Sequence, residues 1–395
     1  MFEVIGKYNR AVVYAVTMDP QSYAQILRMC NTRELADSTI RMMPDTHASA
    51  GCTVGTSLTY TDRVNPSYVG DDIGCGMQAW RLHDRDLDLP ALDAALRELI
   101  PTGPRIREHA DPRLRNVPLK DLCCYETIRR DTVGRSLGTL GGGNHFIEAA
   151  RASDGALWLI VHSGSRRLGR DVAGAHRIRA YLSACGIDPA EALRKKIRPC
   201  EVKASFSPSD CFLSGRLLDE YLHDMRITVR YADESRRLMG ETLLSALHLH
   251  VDDSFSTIHN YIDTEAKVLR KGAVSAKAGE RLLIPINMSD GSLLCTGRGN
   301  PDWNSTAPHG AGRVLRRSDA KATLDMEEYR MEMEGIYSTS VNLSTLDESP
   351  MAYRRIDEIR LSVADTADVK DVLKPIYNFK SGKPTEDEET ADGED

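Results

Sequence analysis

Nothing in the 395-residue chain approaches the apolar length of a membrane-spanning helix, which excludes a helical membrane protein. Residues 1–16 carry Glu3, Lys7 and Arg10 and lack the apolar run of a secretory leader. The nine cysteines are an odd number, and the adjacent Cys123 and Cys124 do not have a metal-binding spacing. These absences predict a cytoplasmic protein with reduced thiols, in which Cys30, Cys185, Cys200, Cys211 and Cys295 are packing residues. No internal repeat and no convincing linker interrupts the chain, so a single domain is expected. A strong charge of one sign is missing from the body as well. Residues 383–395 hold seven acids and one lysine, −6 of the total −7, which leaves −1 for residues 1–382. That tail has almost no apolar side chain to bury and is predicted to be disordered. The near-neutral body carries arginine clusters at 105–115, 166–170 and 313–317, and a local patch of that kind is enough for a nucleic-acid partner.

Hydrophobic content of 41% and charged content of 28% are ordinary for a globular protein. Short apolar runs in residues 2–16 predict one or two strands, and Asp19 to Met29 reads as a helix. Residues 42–47 and the glycines that follow read as a loop. Residues 77–83 and 157–161 read as strands. Leu92, Leu96 and Leu99 place an amphipathic helix over 89–100. Helices are also predicted over 172–185 and 215–249, a surface excursion between them, and strands over 281–285 and 293–296. The pattern amounts to mixed α and β.

The stretch around which the chain is organised is Val69-Gly70-Asp71-Asp72-Ile73-Gly74-Cys75-Gly76-Met77. Asp72 and Cys75 lie three apart on a glycine-rich turn, which can aim a carboxylate oxygen and a sulfur at one point. Oxygen plus sulfur suits a borderline divalent ion such as Mn²⁺ or Zn²⁺. Taken alone, the stretch reads more readily as a glycine turn around a buried, inert cysteine. Its company favours the metal. Asn144-His145, His162-Ser163-Gly164-Ser165-Arg166, His259-Asn260 and His309-Gly310-Ala311-Gly312-Arg313 each set a histidine beside glycine or small polar residues. Asp72, Cys75, His145, His162 and His259 could hold two ions with Cys75 shared between them, an arrangement that serves phosphoryl chemistry. Arg166, Arg270, Lys271, Arg313 and Arg317 would supply charge for phosphates. His309 stands apart and could be a sixth ligand or a nucleophile. His83, His109, His176, His223, His248 and His250 lie in charged or helical contexts and read as surface or helix-packing residues.

In this order the motifs resemble the RtcB RNA-splicing ligases. The resemblance begins at Met43-Pro44-Asp45-Thr46-His47. It passes through Asp72–Cys75, Gly141–Glu148, His162–Gly169, His259-Asn260, Arg270–Ala273, Ile284–Met288 and His309–Arg313, and ends at Met351–Tyr353, Lys374-Pro375 and Lys380. It implies a single α/β domain over residues 1–382, with central β-sheets, outer helices and a metal site in a central cleft. It implies a GTP- and Mn²⁺-dependent enzyme that joins RNA 3′-phosphate or 2′,3′-cyclic phosphate ends to 5′-hydroxyl ends. Two Mn²⁺ per chain would share Cys75, with His145 and His162 completing one site and Asp72 and His259 the other. His309 would carry GMP covalently. Asn144, Glu148, His259, Asn260, Met288, Gly310, Ala311, Gly312, Arg313, Tyr353 and Lys380 would surround the guanylate, and Asp45, Arg166 and Arg317 would meet RNA phosphates. A monomer is expected.

The chain departs from the family pattern at Arg167, where glycine is usual, at Val274, at Ile286-Asn287, and at Ser235, which precedes Arg236 on the long helix. The competing reading is a two-metal phosphoesterase acting on RNA ends, with His309 as a general acid.

Overall fold

The computed structural model describes residues 1–196, 202, 206–207 and 210–382. The acidic tail and Cys200 lie outside the described residues. Two sheets carry the architecture. The first runs, in spatial order, through strands Phe2–Ile5, Arg10–Val13, Ile40–His47, Val54–Thr59, Val268–Lys271 and Asn260–Asp263. The second runs through Val251–Ile258, Gly76–Leu82, Leu157–Ser163, Phe146–Arg151, Ala367–Lys380, Gly291–Gly297 and Arg281–Asn287. Pairing in both is antiparallel, apart from Arg10–Val13 against Ile40–His47. The α/β class expected from the pattern is the one observed.

The helices form where the local chemistry asks for them. The Asp19 carboxylate accepts from the backbone N–H groups of Gln21 and Ser22, with Pro20 at the first helical position, and so starts the Pro20–Cys30 helix. Asp88 caps Leu89–Leu99 in the same way and lets Leu92 and Leu96 face the core. The 32-residue helix Gly215–Ala246 buries Tyr221, Met225, Tyr231, Met239 and Leu243 along one stripe. Arg166–Ala184 packs beside it. No helix among the described residues is long and apolar enough to cross a membrane.

Residues 40–47 are a strand where a loop was expected. Every residue of Met42–Thr46 is buried, so the polar side chains that suggested a loop face the interior instead of solvent. The helix expected from residue 172 begins at Arg166, directly after the histidine motif. The excursion before the long helix contains a further short helix, Pro189–Arg194. Strands 54–59, 146–151, 251–258, 260–263, 268–271 and 367–380 had no clear sequence signal. The 146–151 and 268–271 strands are almost wholly buried, so they show no polar–apolar alternation.

Candidate metal and nucleotide site

Four neighbouring strands of the second sheet end together at one edge. His259 directly follows Val251–Ile258, and Cys75 directly precedes Gly76–Leu82. His162 lies near the end of Leu157–Ser163, and His145 directly precedes Phe146–Arg151. Antiparallel pairing therefore brings four residues separated by up to 184 positions to one place. Pairing places Met77 and Phe146 on either side of His162, and the His259 N–H donates to the Cys75 carbonyl at 2.9 Å. Arg236, fully buried on the long helix, donates from Nη1 to the carbonyls of Gly74 (2.7 Å) and Ser163 (2.8 Å), tying the cysteine turn to the His162 strand. Its neighbour Ser235, a departure from the family pattern, accepts from the Gly138 N–H at 2.9 Å.

The ligand atoms form two groups that share Cys75: Asp72, Cys75 and His145, and Cys75, His162 and His259. Within each group the atoms lie within 4.8 Å of one another. This division corrects the expected one, in which His145 and His162 shared an ion. His145 sits on the Asp72 side, its Nε2 at 3.2 Å from the Asp72 Oδ2, while the Nε2 atoms of His162 and His259 are 3.4 Å apart.

Hydrogen positions decide what such a cluster can do. His145 Nδ1 lies 2.9 Å from the Leu140 carbonyl and His162 Nδ1 lies 3.2 Å from the Asn144 carbonyl. A carbonyl only accepts, so each Nδ1 carries the proton and each Nε2 presents a lone pair. Those lone pairs face the Cys75 sulfur at 3.5 and 3.4 Å. Acceptors thus converge with too few hydrogens between them, and such an arrangement calls for cations. The mixed sulfur, nitrogen and oxygen set fits borderline divalent ions. Burial drives His162 and His259 well below the usual imidazole range, which keeps them neutral and able to ligate. Burial and the Asp72 charge push the Cys75 thiol well up, so a cation is what would hold it as thiolate. Gly164 makes room for the carboxylate: a Cβ there would stand 1.9 Å from Asp72 Oδ1.

His309 follows the Thr306–Pro308 strand, and its ring centroid is 4.9 Å from that of His259. Its Nδ1 lies 2.7 Å from Asp45 Oδ2. Asp45 is fully buried behind the ring, which is not a place where it could meet an RNA phosphate as expected. The carboxylate accepts a hydrogen bond from Nδ1–H and leaves the Nε2 lone pair free.

Beside His309 a cavity is lined by Asn144, Glu148, Met288, His309–Arg313, Arg317, Tyr353 and Lys380, bringing together most of the guanylate set expected from sequence. Asn260 is not part of that lining. It braces the cysteine turn, donating to the Asp72 carbonyl at 3.2 Å and accepting from the Gly272 N–H at 2.8 Å. Burial pushes the Glu148 carboxyl up to about 8, against the pull of Asn378 and Lys380; Oε2 accepts from Asn378 at 2.8 Å and Oε1 has no partner. Glu348, whose partners line the cavity, accepts from Lys380 and from the Tyr353 hydroxyl, both at 2.6 Å, and from Arg317 and Arg313. Burial raises Glu348, but Lys380 and Arg317 outweigh it and hold the carboxyl at about 2.

Glu348 and Asn378 had no motif to mark them and were missed in the sequence; His47 stands in the first matching segment but was given no role there. Arg270 is committed in the core to Thr306 (3.0 Å) and Tyr261 (3.1 Å), and Lys271 to the Ala50 carbonyl, so neither supplies phosphate-binding charge. Arg166 bonds the Thr139 hydroxyl at 3.2 Å and the Gly103 carbonyl at 3.0 Å, beside the Asp72 and His145 end of the centre. Asn287 turns its side-chain oxygen to the N–H groups of Ser289 and Asp290, so this departure builds its own turn at the cavity wall. Val274 is buried core, and Arg167 pairs with Asp171 at 2.9 Å.

A family profile described as "RtcB: tRNA-splicing ligase RtcB" matches residues 25–127 and 116–381. The chain is 29% identical over 380 residues to the RNA-splicing ligase RtcB of Escherichia coli K12, covering 86% of this chain and 90% of that protein. It is 26% identical over 409 residues to the tRNA-splicing ligase RtcB of Aeropyrum pernix, covering 80% and 82%. With the RNA-splicing ligase RtcB of Mycobacterium tuberculosis it shares 24% over 404 residues, covering 80% and 90%. Family profile, relatives and site together place this chain in the RtcB family.

Proposed function

We propose that this protein is a GTP- and Mn²⁺-dependent RNA ligase that joins 3′-phosphate or 2′,3′-cyclic phosphate ends to 5′-hydroxyl ends through a histidine–GMP intermediate. The observation that carries the reading is the His309–Asp45 pair, set between a cluster of converging acceptors and an anion-binding cavity. Asp45 fixes the ring so that Nε2 is the nucleophilic atom. Nε2 attacks the α-phosphorus of GTP: the N–P bond forms, the α–β anhydride breaks and pyrophosphate leaves. An oxygen of the RNA 3′-phosphate then attacks the same phosphorus, and the N–P bond breaks to return the imidazole lone pair. The 5′-hydroxyl oxygen finally attacks the RNA phosphorus and GMP departs. A cyclic phosphate is hydrolysed to the 3′-phosphate beforehand.

Mn²⁺ ions held by Asp72, Cys75, His145, His162 and His259 would neutralise charge on the reacting phosphates. Glu148 suits a guanine: its buried Oε1 has no partner in the protein and can accept from an N–H group on the base edge. The cations around Glu348 suit the phosphate and ribose end.

The test is incubation with GTP labelled on the α-phosphate and Mn²⁺. Acid-labile label on the protein is expected, and His309→Ala should retain metal, take no label and still seal RNA carrying a pre-formed 3′-guanylylated end. A wild-type protein that stays unlabelled while releasing phosphate from RNA ends would establish the phosphoesterase reading instead.

A further inference from the structure

Among the described residues, three histidines line the guanylate cavity: His162, His309 and His47. His162 belongs to the metal centre and His309 carries the guanylate in the reading above, which leaves His47 without a task. It ends the strand Ile40–His47, two residues after Asp45. Register shifts along this strand between Met42, opposite Thr56, and His47, opposite Val54. An irregularity of that kind re-aims side chains, and it recurs beside active sites. Asp45 orients both rings at once. Its carboxylate holds His309 Nδ1 at 2.7 Å, and its carbonyl lies 2.9 Å from His47 Nδ1.

A carbonyl only accepts, so His47 Nδ1 carries the proton and Nε2 presents a lone pair. No protein group among the described residues bonds that Nε2, and the residue is half-buried. Its partial enclosure holds His47 below the usual imidazole range, against the pull of the Asp45 carbonyl, so the ring is neutral near pH 7. His47 also lines a groove between residues 17–21 and 313–317, so a proton it takes up has a way to water. A neutral imidazole with one fixed N–H and one free lone pair can act as a base.

We propose that His47 is a catalytic base that takes the proton from the 5′-hydroxyl as that oxygen attacks the guanylylated RNA end. The proposal rests on the ligase reading above, and the chemistry of its steps selects this one. His309 attacks GTP with a lone pair that carries no proton. The RNA 3′-phosphate attacks as an anion. Of these three nucleophiles, the 5′-hydroxyl alone must lose a proton. As its oxygen bonds to the RNA phosphorus, the O–H proton moves to His47 Nε2. The bond from that phosphorus to the bridging oxygen breaks, and the oxygen leaves with GMP. The imidazolium then releases its proton to water, which restores the neutral ring.

The test compares two rates in the Mn²⁺-loaded full chain. One is transfer of labelled GMP from GTP to the protein. The other is sealing of a pre-formed 3′-guanylylated RNA to a 5′-hydroxyl strand. His47→Asn keeps a side-chain N–H for the Asp45 carbonyl but has no base. Its ratio of sealing to guanylylation should fall about hundredfold, the lower end of what a positioned base contributes. A strand ending in a 5′-thiol, which ionises more readily than an alcohol, should show a much smaller loss. Imidazole in solution should restore part of the sealing rate of His47→Ala. Sealing and guanylylation that fall together would mean that His47 only braces Asp45, and would overturn the proposal. So would equal losses with the hydroxyl and thiol strands. Neither result touches the ligase reading, because the wild type still seals. A wild type that takes no label and seals nothing would overturn both.

Discussion

Among the described residues, two clusters contain cysteine, histidine and aspartate at ligand distances, and they behave in opposite ways. One is the Asp72, Cys75, His145, His162 and His259 centre. The other lies beneath the long helix, where Cys124, His176 and Asp224 are buried together and Cys123 and His223 flank the same carboxylate. By residue type alone they are alike. Their hydrogens separate them. The Asp224 oxygens accept from the N–H groups of Cys123 (2.7 Å) and Cys124 (3.1 Å), and from His176 Nε2 (2.8 Å), so every contact has a proton between its atoms. In the first cluster, two imidazole lone pairs converge on one thiol, which has a single hydrogen to give. A buried carboxylate already surrounded by donors gains little from an ion, whereas converging acceptors require one.

That contrast can be broken experimentally. The largest effect is expected from Cys75→Ala, which removes the shared ligand: purified protein should lose its Mn²⁺ by elemental analysis and lose guanylylation, while circular dichroism stays native. Cys124→Ala should leave the metal content unchanged. Equal metal loss in both variants would erase the distinction. Next is Asp224→Ala, which strands two backbone N–H groups and an imidazole in the core. It should cost about 3 kcal/mol and lower the melting temperature by several degrees without altering Mn²⁺ stoichiometry.

The smallest effect concerns pH. Burial holds His176 below the usual imidazole range, although Asp224 pulls the other way. The unfolded chain therefore takes up that proton first, and stability should fall as pH drops below about 6.5. The Asp224 carboxyl is raised by burial, but its His176 partner and backbone donors outweigh this and lower it, so its own contribution is lost only at more acid pH. His176→Gln should flatten the upper limb of the stability curve measured between neutral and mildly acid pH. An unchanged slope would mean that His176 titrates as freely in the fold as out of it.

The sequence carried the site's identity further than its geometry. Each histidine that faces Cys75 sits beside glycine, serine or asparagine, and that local signature is visible without a fold. Asp45 was visible too, but its task was not: it lies 264 residues from His309 in the chain and meets it only because residues 40–47 form an inward-facing strand. The division of ligands between the two groups also depends on strand order, which no motif encodes. Glu348 and Asn378 were invisible for another reason. Glu348 gathers four donors and Asn378 holds one carboxylate, but neither stands in a distinctive neighbourhood of sequence. Among the helices, the aspartate caps and leucine spacing sufficed. The buried strands offered no alternation to read.

The Glu348 hub has a kinetic meaning. Lys380, Tyr353, Arg317 and Arg313 all line the guanylate cavity and are all drawn to one carboxylate. Long flexible cations usually lose much side-chain entropy when they first grip a phosphate. Here that ordering has already occurred around an internal placeholder anion. On the proposed function, an arriving nucleotide would meet cations already in position and share them with Glu348, so capture would resemble an exchange of counter-ions more than the assembly of a site.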